Sequence, residues 1–374
     1  MQSLFYRINT DRSEYPVALE NTYAGGDASA CWLMGGGPSF DEHAASVIAE
    51  TPAPRMAINL AGAGLLRPTF WTSYDPSVRF HKSVYLDPGV MKFVHKRRAL
   101  DLVPESSFKV CDCPNLLFFE RERQRQFTDF VAPHHTGIVD WSDSMVQAID
   151  ILYRLGFRTI YLVGCEMQIS PSSVQQHRAR EVGVVHEPGE LLKDFLKRCN
   201  EKGLTTGELE EVEREAQYHF AETKPLESAA NADAHYFRVS QYLRLCRRAM
   251  SLAGLRLISV TPHSRLNDYF PVMSIDEAAA EIKQTTGDPA LETTAGLYQQ
   301  LTDRRGTFRS PMRDFRPPVK TVAEDHVHKK LKPPENHEFL IEEEGFEVAA
   351  HDRNEVRDRV RELREHPIEI NEAG

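Results

Sequence analysis

The sequence lacks long hydrophobic runs, a cysteine framework and an excess of positive charge, and each absence excludes a class of protein. No apolar stretch in the 374 residues approaches the length of a membrane span, and residues 1–30 carry no signal-peptide core. The six cysteines are scattered and give no disulfide pattern. A net charge of −10 argues against a broad nucleic-acid surface. We therefore expect a cytoplasmic globular protein with no membrane span and no nucleic-acid partner.

Two ligand-binding motifs are also missing. No Asp-x-Asp pair occurs, so the usual metal clamp of glycosyltransferases on a nucleotide diphosphate has no obvious ligands. No P-loop lysine follows the glycine triplet, which disfavours a P-loop kinase or ATPase. Cys111 and Cys113 lack a second pair at zinc spacing. His134 and His135 are adjacent in a loop, where neighbouring side chains rarely point the same way. We predict no metal site.

Short apolar runs alternate with amphipathic segments from residue 30 onward. This alternation is typical of βα units around a parallel sheet. We predict an α/β, Rossmann-like nucleotide-binding domain over residues 30–285, with a mostly parallel sheet and helices on both faces. Its strands are predicted at 30–34, 55–59, 69–74, 107–111, 158–163 and 255–261.

Two helices are clear from the spacing of apolar residues. The first is predicted from about Ser142 to Leu155, with Ser142 as its N-cap and Gly156 as its left-handed end. The second is predicted from about Phe237 to Ala253. Each leads directly into a predicted strand, so the two helices define the centre of the sheet.

The remaining segments do not show this alternation of apolar runs and amphipathic segments. Residues 1–29 predict an irregular lead-in. Residues 168–232 are rich in charged residues, and their length between two core units predicts a helical lid or substrate-facing insertion. Residues 286–335 contain two proline pairs and predict a linker. Residues 336–374 are too few for a core of their own and predict a small C-terminal appendage.

The most informative motif is the glycine-rich turn after the first predicted strand. It consists of Gly35, Gly36, Gly37, Pro38 and Ser39, and a helical pattern follows it. A strand, a glycine turn and a helix in that order direct backbone N–H groups and a positive helix end toward a phosphate. Glycine permits the close backbone approach that this requires. A tight turn between two packed elements is the alternative interpretation.

Polar residues follow three other predicted strands, at the edge where parallel sheets bind ligands. Asn59 follows the second strand, Asp75 the third, and Gly164 and Glu166 the fifth. An asparagine there can donate to a phosphate or a sugar hydroxyl, and a carboxylate can hold a ribose. Each position also fits a plain turn, because asparagine and Asp-Pro start turns.

Two further motifs follow the charged insertion. His235 and Tyr236 lie just before the second predicted helix, and a histidine titrates in the range of a general base. Capping the helix is the alternative role. Ser264 and Arg265 follow the last predicted strand, where they either meet a nucleotide or form a capped turn.

The order of these motifs resembles a superfamily of Rossmann-like enzymes over roughly residues 30–275. One arm contains the bacterial sialyltransferases and the motility-accessory-factor glycosyltransferases. The other contains the archaeal-type 6-hydroxymethylpterin pyrophosphokinase and the MptE-like proteins. The motifs that carry the resemblance are Gly-Gly-Gly-Pro-Ser at 35–39, Ile-Asn at 58–59, Ser-Tyr-Asp-Pro at 73–76, Ile-Tyr-Leu-Val-Gly at 160–164, His-Tyr at 235–236 and Thr-Pro-His-Ser-Arg-Leu at 261–266.

The sialyltransferase arm implies a metal-independent transfer from a nucleotide-activated sugar, with a CMP-linked donor favoured and no prosthetic group. It implies that His235 deprotonates the acceptor hydroxyl and that Tyr218 in the lid stabilises the leaving phosphate. The implied donor site consists of Gly35, Gly37, Pro38, Ser39 and Asn59, with Ser264 near the nucleotide. The acceptor stays open between a glycan, a protein and a small molecule, and a homo-oligomer also stays open.

The pyrophosphokinase arm implies instead a diphosphotransferase that uses ATP with magnesium. Its members carry Asp-x-Asp-Gly and His-Gly-Asp-Asn motifs where this chain reads Ser-Tyr-Asp-Pro and Asp-Ala-His-Tyr-Phe. The missing carboxylates favour sugar transfer. Gly36 and Glu166 depart from the sialyltransferase pattern, however, and keep this alternative open. A non-catalytic nucleotide-binding protein is the third hypothesis.

Overall fold

The computed structural model describes residues 3–23, 29–123, 125–213, 215–219 and 222–285. The predicted linker at 286–335 and appendage at 336–374 lie outside these residues. The strands are β1 (Phe5–Ile8), β2 (Glu14–Val17), β3 (Ala30–Met34), β4 (Arg55–Ile58), β5 (Phe70–Thr72), β6 (Met91–His95), β7 (Leu116–Phe119), β8 (Arg121–Glu122), β9 (Ile138–Val139), β10 (Thr159–Val163), β11 (Glu215–His219), β12 (Glu222–Pro225) and β13 (Arg256–Ser259). The α-helices are α1 (Glu42–Ala49), α2 (Lys82–Tyr85), α3 (Ser144–Leu155), α4 (Ser173–Glu181), α5 (Leu192–Glu201), α6 (Thr206–Val212), α7 (Leu226–Leu252) and α8 (Ile275–Thr285).

A nine-stranded sheet forms the centre of the fold, in the order β13-β10-β3-β4-β5-β6-β7-β1-β2. The seven strands from β13 to β7 are parallel, and β1 and β2 add antiparallel pairs at one edge. From β3 the chain proceeds outward to β7, whereas β10 and β13 lie on the other side of β3. The carboxyl ends of β3 and β10 therefore flank the point where the strand order reverses, which is where open α/β sheets bind ligands.

Helices cover both faces of the sheet. In β3, Cys31 and Leu33 enter the core beneath α3 and α7, whereas Trp32 and Met34 enter the core beneath α1 and α8. Alternate residues of a strand face opposite sides, and because both sides are covered the strand is apolar throughout. The predicted α/β, Rossmann-like fold with a mostly parallel sheet is confirmed.

Two predictions about strands are wrong. Residues 1–29 are not merely an irregular lead-in, because they supply β1 and β2 of the sheet. The segment 107–111 is not a strand either, since it forms one isolated bridge and enters a 3-10 turn. Instead, β6 and β7 follow β5 in the sheet. The pattern of β6 is concealed by the buried Lys92, whose ammonium group donates to the carbonyl oxygens of Asp87 and Val90 at 2.6 and 2.9 Å.

The two predicted helices are present with different starts. Asp143, not Ser142, caps α3, and Gly156 ends this helix at φ 113° as predicted. The long helix α7 begins at Leu226 rather than near Phe237. Its first turns bury Ala229 and Ala230, which are too small to give a recognisable apolar stripe. The histidine motif therefore lies inside the helix and does not cap it.

The insertion at 168–232 is helical, as predicted, and has a small core of its own. Helices α4, α5 and α6, the β11–β12 hairpin and the start of α7 belong to it. Its core buries Ile169, Phe195, Leu196, Leu209 and Leu226 among others. Because α7 continues from this core onto the main sheet, one helix connects the two parts.

Asp233 of α7 fastens the insertion to the main domain. Its carboxylate accepts the N–H groups of Ile169 and Leu192, each at 2.9 Å, and pairs with Arg265 at 2.8 Å. Both charged side chains are buried. Of the two roles that the sequence left open for Arg265, this pairing favours the structural one, because the charge is used inside the protein.

Among the residues that the structure describes, no helix combines the length and the apolar character that crossing a bilayer requires.

Candidate functional site

The turns after β3 and β10 pack directly on each other. The N–H of Gly35 donates to the carbonyl of Val163 at 2.8 Å, and that of Gly37 donates to the carbonyl of Gly164 at 2.9 Å. A Cβ on Gly35 would lie 2.2 Å from the Gly164 oxygen, and Gly164 itself has a φ of +63°. The glycines of both turns are therefore required by this close contact.

The carboxylate of Glu166 fills the glycine bend, by which we mean residues 35–39. Its Oε1 accepts the N–H of Ser39 at 2.7 Å, and its Oε2 would lie 1.5 Å from a Cβ on Gly37. That Oε2 and the hydroxyl of Ser39 are buried without a hydrogen-bond partner among the described residues. An anionic oxygen thus already uses the N–H expected for a donor phosphate, and a phosphate would have to displace it.

Two members of the bend are not engaged in this way. Gly36 is half-buried, and its N–H donates to no group in the described part of the chain. Pro38 is exposed and has no N–H to offer. Among the backbone N–H groups of the bend, only that of Gly36 therefore has no partner in the described part of the chain.

Asn59 lies at the end of β4 in a left-handed conformation, with φ 54°. Its side-chain oxygen accepts the hydroxyls of Ser73 at 2.6 Å and Ser144 at 3.2 Å. The hydroxyl of Ser144 in turn accepts the N–H of Tyr74 at 2.8 Å. These bonds hold the ends of β4 and β5 against the start of α3. The side-chain NH₂ of Asn59 makes no hydrogen bond to other described residues, so it can donate to a ligand.

Arg121 follows β7 and reaches the same place. Its guanidinium lies 3.6 Å from the centre of the Tyr74 ring and donates to Gln147 Oε1 at 3.2 and 3.3 Å. The amide of Gln147 donates to Thr72 Oγ1 at 2.7 Å, which fixes this acceptor. No carboxylate among the described residues comes within ion-pair distance of Arg121. A half-buried cation with only neutral partners is suited to bind an anion.

His235 approaches α3 from the other side, on α7. Its Nε2 lies 3.4 Å from Oδ2 of Asp143, with 27% of the histidine side chain exposed. The other carboxylate oxygen of Asp143 caps α3 by accepting the N–H groups of Met145 and Val146. The carboxylate is thus held in place beside the imidazole. Nδ1 of His235 has no hydrogen-bond partner in the described chain.

Asp143 and Gln147 are one turn apart on α3, so they lie on the same face of the helix. Asp143 contacts His235 and Gln147 contacts Arg121, so one turn of α3 holds both side chains. We call this set the α3 cluster. It consists of Asn59, Arg121, Asp143, Ser144, Gln147 and His235.

The α3 cluster lies beside the glycine bend. Burial raises the pKa of the Cys165 thiol, and the carboxylates of Glu166 and Asp143 raise it further. Asn59 follows β4, which is the parallel neighbour of β3, so the cluster and the bend share the carboxyl edge of the sheet.

The electrostatic environment of His95 is positive although the chain is acidic. Burial lowers the pKa of His95, at the end of β6, to about 2, and Arg121, Arg98, Arg97 and Arg123 contribute. Glu120 lies 3.9 Å from His95, but it is half exposed and also pairs with Lys96, so the arginines outweigh it. Burial lowers the pKa of Arg121 to about 10, which leaves it charged at neutral pH.

Asp75 and Ser264 have structural partners. Asp75 is buried, its N–H donates to Ser73 Oγ at 3.0 Å, and its carboxylate lies 3.7 Å from Arg79. Ser264 is buried as well and donates to the carbonyl of Cys165 at 2.6 Å. Both belong to turns at the ligand edge, which is the alternative that the sequence left open.

Tyr236 and Tyr218 differ in what the structure describes. Tyr236 is half-buried and packs against both the main core and the core of the insertion. The backbone of Tyr218 lies in β11, and its side chain is outside the described part. Its predicted contact with a leaving phosphate stays a prediction.

Four members of the α3 cluster were not predicted from the sequence. Arg121 occurs in a run of alternating charges that indicates a solvated surface. Asp143 and Ser144 have the composition of an ordinary helix start, and a glutamine inside a helix carries no signal. The one available clue was Asp143, because aspartate is a strong N-cap residue and leaves one carboxylate oxygen for another partner.

Comparison of the chain with protein-family models, with curated proteins and with solved structures gives no match. The function therefore has to be inferred from the arrangement of these residues.

Proposed function

We propose that this protein is a metal-independent transferase that uses a nucleotide-activated sugar, with a CMP-linked sugar favoured as the donor. The observation that carries the proposal is the start of α3, where Asp143 lies 3.4 Å from His235 and Gln147 accepts hydrogen bonds from Arg121. A general base and an anion-binding cation that contact the same turn of one helix are what a displacement at a phosphate-linked carbon needs.

In this mechanism Nδ1 of His235 takes the proton from an acceptor hydroxyl. The hydroxyl oxygen attacks the anomeric carbon of the sugar, and the bond from that carbon to the phosphate oxygen breaks. The nucleotide leaves with the electron pair of that bond, and Arg121 stabilises the negative charge that develops. Asn59 binds the donor through its side-chain NH₂. The half-exposed His235 is accessible from solvent, as an acceptor site requires.

Three features support the proposal. The cluster lies at the carboxyl edge beside the strand-order reversal, which is the usual ligand edge of such sheets. The arginines around His95, Arg121 among them, favour an anionic ligand in an otherwise acidic chain. The helical insertion adjoins the site through α7, which carries His235.

The test begins with a thermal-shift screen of the protein against CMP, UDP, GDP, ATP and their sugar conjugates. Release of the nucleotide from the selected donor is then measured in the wild type and in His235→Gln. We expect His235→Gln to lower turnover by about 10²- to 10⁴-fold, the usual contribution of a general base. Nucleotide binding should change little, because the histidine acts on the acceptor.

Two matched variants sharpen this test. Asp143→Asn keeps an N-cap residue on α3 and is expected to lower turnover by about 10-fold or more, since it removes the charge that orients the imidazole. His177→Gln changes an exposed histidine of α4 and should have no effect. Full turnover in His235→Gln would contradict the proposal. Loss of activity with a chelator, together with selective ATP binding, would favour the diphosphotransferase.

A further inference from the structure

The loop between β8 and β9 brings together three side chains with metal-binding atoms. One ligand atom from each of Asp129, His134 and His135 lies within 4.8 Å of the other two. Asp129 Oδ2 is 3.8 Å from Nε2 of His134 and 3.6 Å from Nε2 of His135. The two imidazole rings are 4.3 Å apart, so the expectation that these neighbours point in different directions is wrong.

The spacing is close to that of a tetrahedral site. Zinc binds imidazole nitrogen and carboxylate oxygen at about 2.0–2.1 Å, which separates ligand atoms by about 3.3 Å. The two distances from Asp129 to the histidines would therefore need to shorten by only a few tenths of an ångström. His134 is two-thirds exposed, so its side chain can make this adjustment without disturbing the core.

His135 is held in position by a carboxylate outside the trio, that of Glu122. His135 is buried, and its Nδ1 lies 2.9 Å from Glu122 Oε1. The N–H of Gly137 donates to the other oxygen of Glu122 at 3.3 Å, and Arg125 pairs with it at the same distance. Metal-binding histidines almost always donate their second ring nitrogen to a carboxylate or carbonyl in this way.

The carboxylate of the trio is also held in position. Asp129 Oδ1 accepts the N–H of Gln126 at 2.9 Å, so Oδ2 is the oxygen that lies near the histidines. The Nε2 of His135 lies 2.8 Å from the carbonyl oxygen of Asp129. A cation at Nε2 would take the place of this contact with the carbonyl oxygen.

We propose that Asp129, His134 and His135 bind a divalent transition-metal ion of the zinc class, with solvent completing the coordination. The loop packs against α3 and α7, since Arg154 of α3 donates to the carbonyl of Ala132 and Phe130 contacts Tyr242 of α7. The ion would hold this loop against both helices, so its role is structural and separate from the transferase reaction.

The test uses the full-length protein after treatment with a chelator. Titration with zinc chloride in a calorimeter should show one tight site per chain. Cobalt(II) should give the visible absorption of a low-coordinate site, and zinc should raise the unfolding temperature. His134→Gln removes an exposed ligand and should weaken zinc binding by about 10-fold or more, with an unchanged circular dichroism spectrum.

Two controls separate this site from other histidines. His177→Gln should bind zinc as the wild type does, because His177 lies on α4. The double variant His326→Gln/His328→Gln removes the other closely spaced histidines of the chain and should also bind normally. The proposal is overturned if the wild type binds no stoichiometric zinc, if His134→Gln binds it equally well, or if the double variant loses the site.

Discussion

The glycine bend and the α3 cluster lie side by side at one edge of the sheet, but they use their polar groups differently. In the bend, the N–H groups of Gly35, Gly37 and Ser39 donate to carbonyls or to Glu166. In the α3 cluster, Arg121 has only neutral acceptors, and Nδ1 of His235 and the NH₂ of Asn59 have no partner among the described residues. The bend therefore joins two strands, whereas the cluster has polar groups without a partner among the described residues.

This difference shows what a glycine-rich turn does and does not indicate. Glycine is needed wherever a backbone must come close to something. In this protein the turns after β3 and β10 come close to each other, because Gly35 and Gly164 would each clash with the other's backbone if they carried a Cβ. The same residues would equally suit a phosphate, so the sequence pattern alone cannot distinguish the two.

The largest effect should come from adding one methyl group to the bend. In Gly35→Ala the new Cβ would lie 2.2 Å from the Gly164 oxygen and 2.8 Å from Cys165 Sγ. Because backbone cannot move away cheaply, we expect a loss of about 3 kcal/mol in the free energy of unfolding, measured by urea denaturation. Gly207→Ala in α6 is the control, since the nearest atom is 3.9 Å away. It should stabilise the helix by about 0.5–1 kcal/mol. A loss below about 1 kcal/mol in Gly35→Ala would mean that the two turns are not tightly packed.

A smaller effect is expected on ligand binding when the cluster loses its cation. Arg121→Gln should weaken nucleotide binding by about 10- to 100-fold, because a hydrogen bond to a charged group contributes about 1.5–3 kcal/mol. Calorimetry with the nucleotide selected in the thermal-shift screen measures this change. Arg256→Gln is the control, since Arg256 is exposed and pairs with Glu281. Equal losses in both variants would indicate a general effect of charge, and the cluster would then have no special role.

The smallest effect tests whether the bend also binds the ligand. Glu166→Gln replaces the anion on the Ser39 N–H with a neutral group of the same shape. If a phosphate displaces Glu166, the variant should bind nucleotides a few-fold more tightly, because less repulsion opposes it (about 1 kcal/mol or less). Ser264→Ala is a useful comparison, since it alters a neighbouring turn without changing charge. Weaker binding in Glu166→Gln would instead mean that this carboxylate holds the ligand directly.

Much of the central fold could be predicted from periodicity. The apolar runs of β3 and β10 and the helix α3 with its glycine end are strong local patterns, because elements buried on both sides or on one stripe must be apolar there. β6 could not be found, since it contains the buried Lys92 and His95. The start of α7 was missed because its inward residues are small.

The candidate site was predicted less completely. Asn59 was found because it follows a predicted strand, and His235 was found because it follows the charged insertion. Both belong to the α3 cluster. Arg121 was missed because nothing in a run of charges shows which one lies over Tyr74. The role of Arg265 was left open because a positive charge after a strand looks the same in the sequence whether it meets a ligand or the buried Asp233.

The sequence by itself determined that this chain forms alternating strands and helices, where its central elements end, and that polar residues gather at their carboxyl ends. Those properties are local, since they depend on the period of apolar residues and on turn chemistry. Only the tertiary structure decided which polar groups satisfy one another and which remain for a ligand. That choice depends on contacts between residues far apart in the chain, such as Gly35 with Gly164, Asp143 with His235 and Gln147 with Arg121.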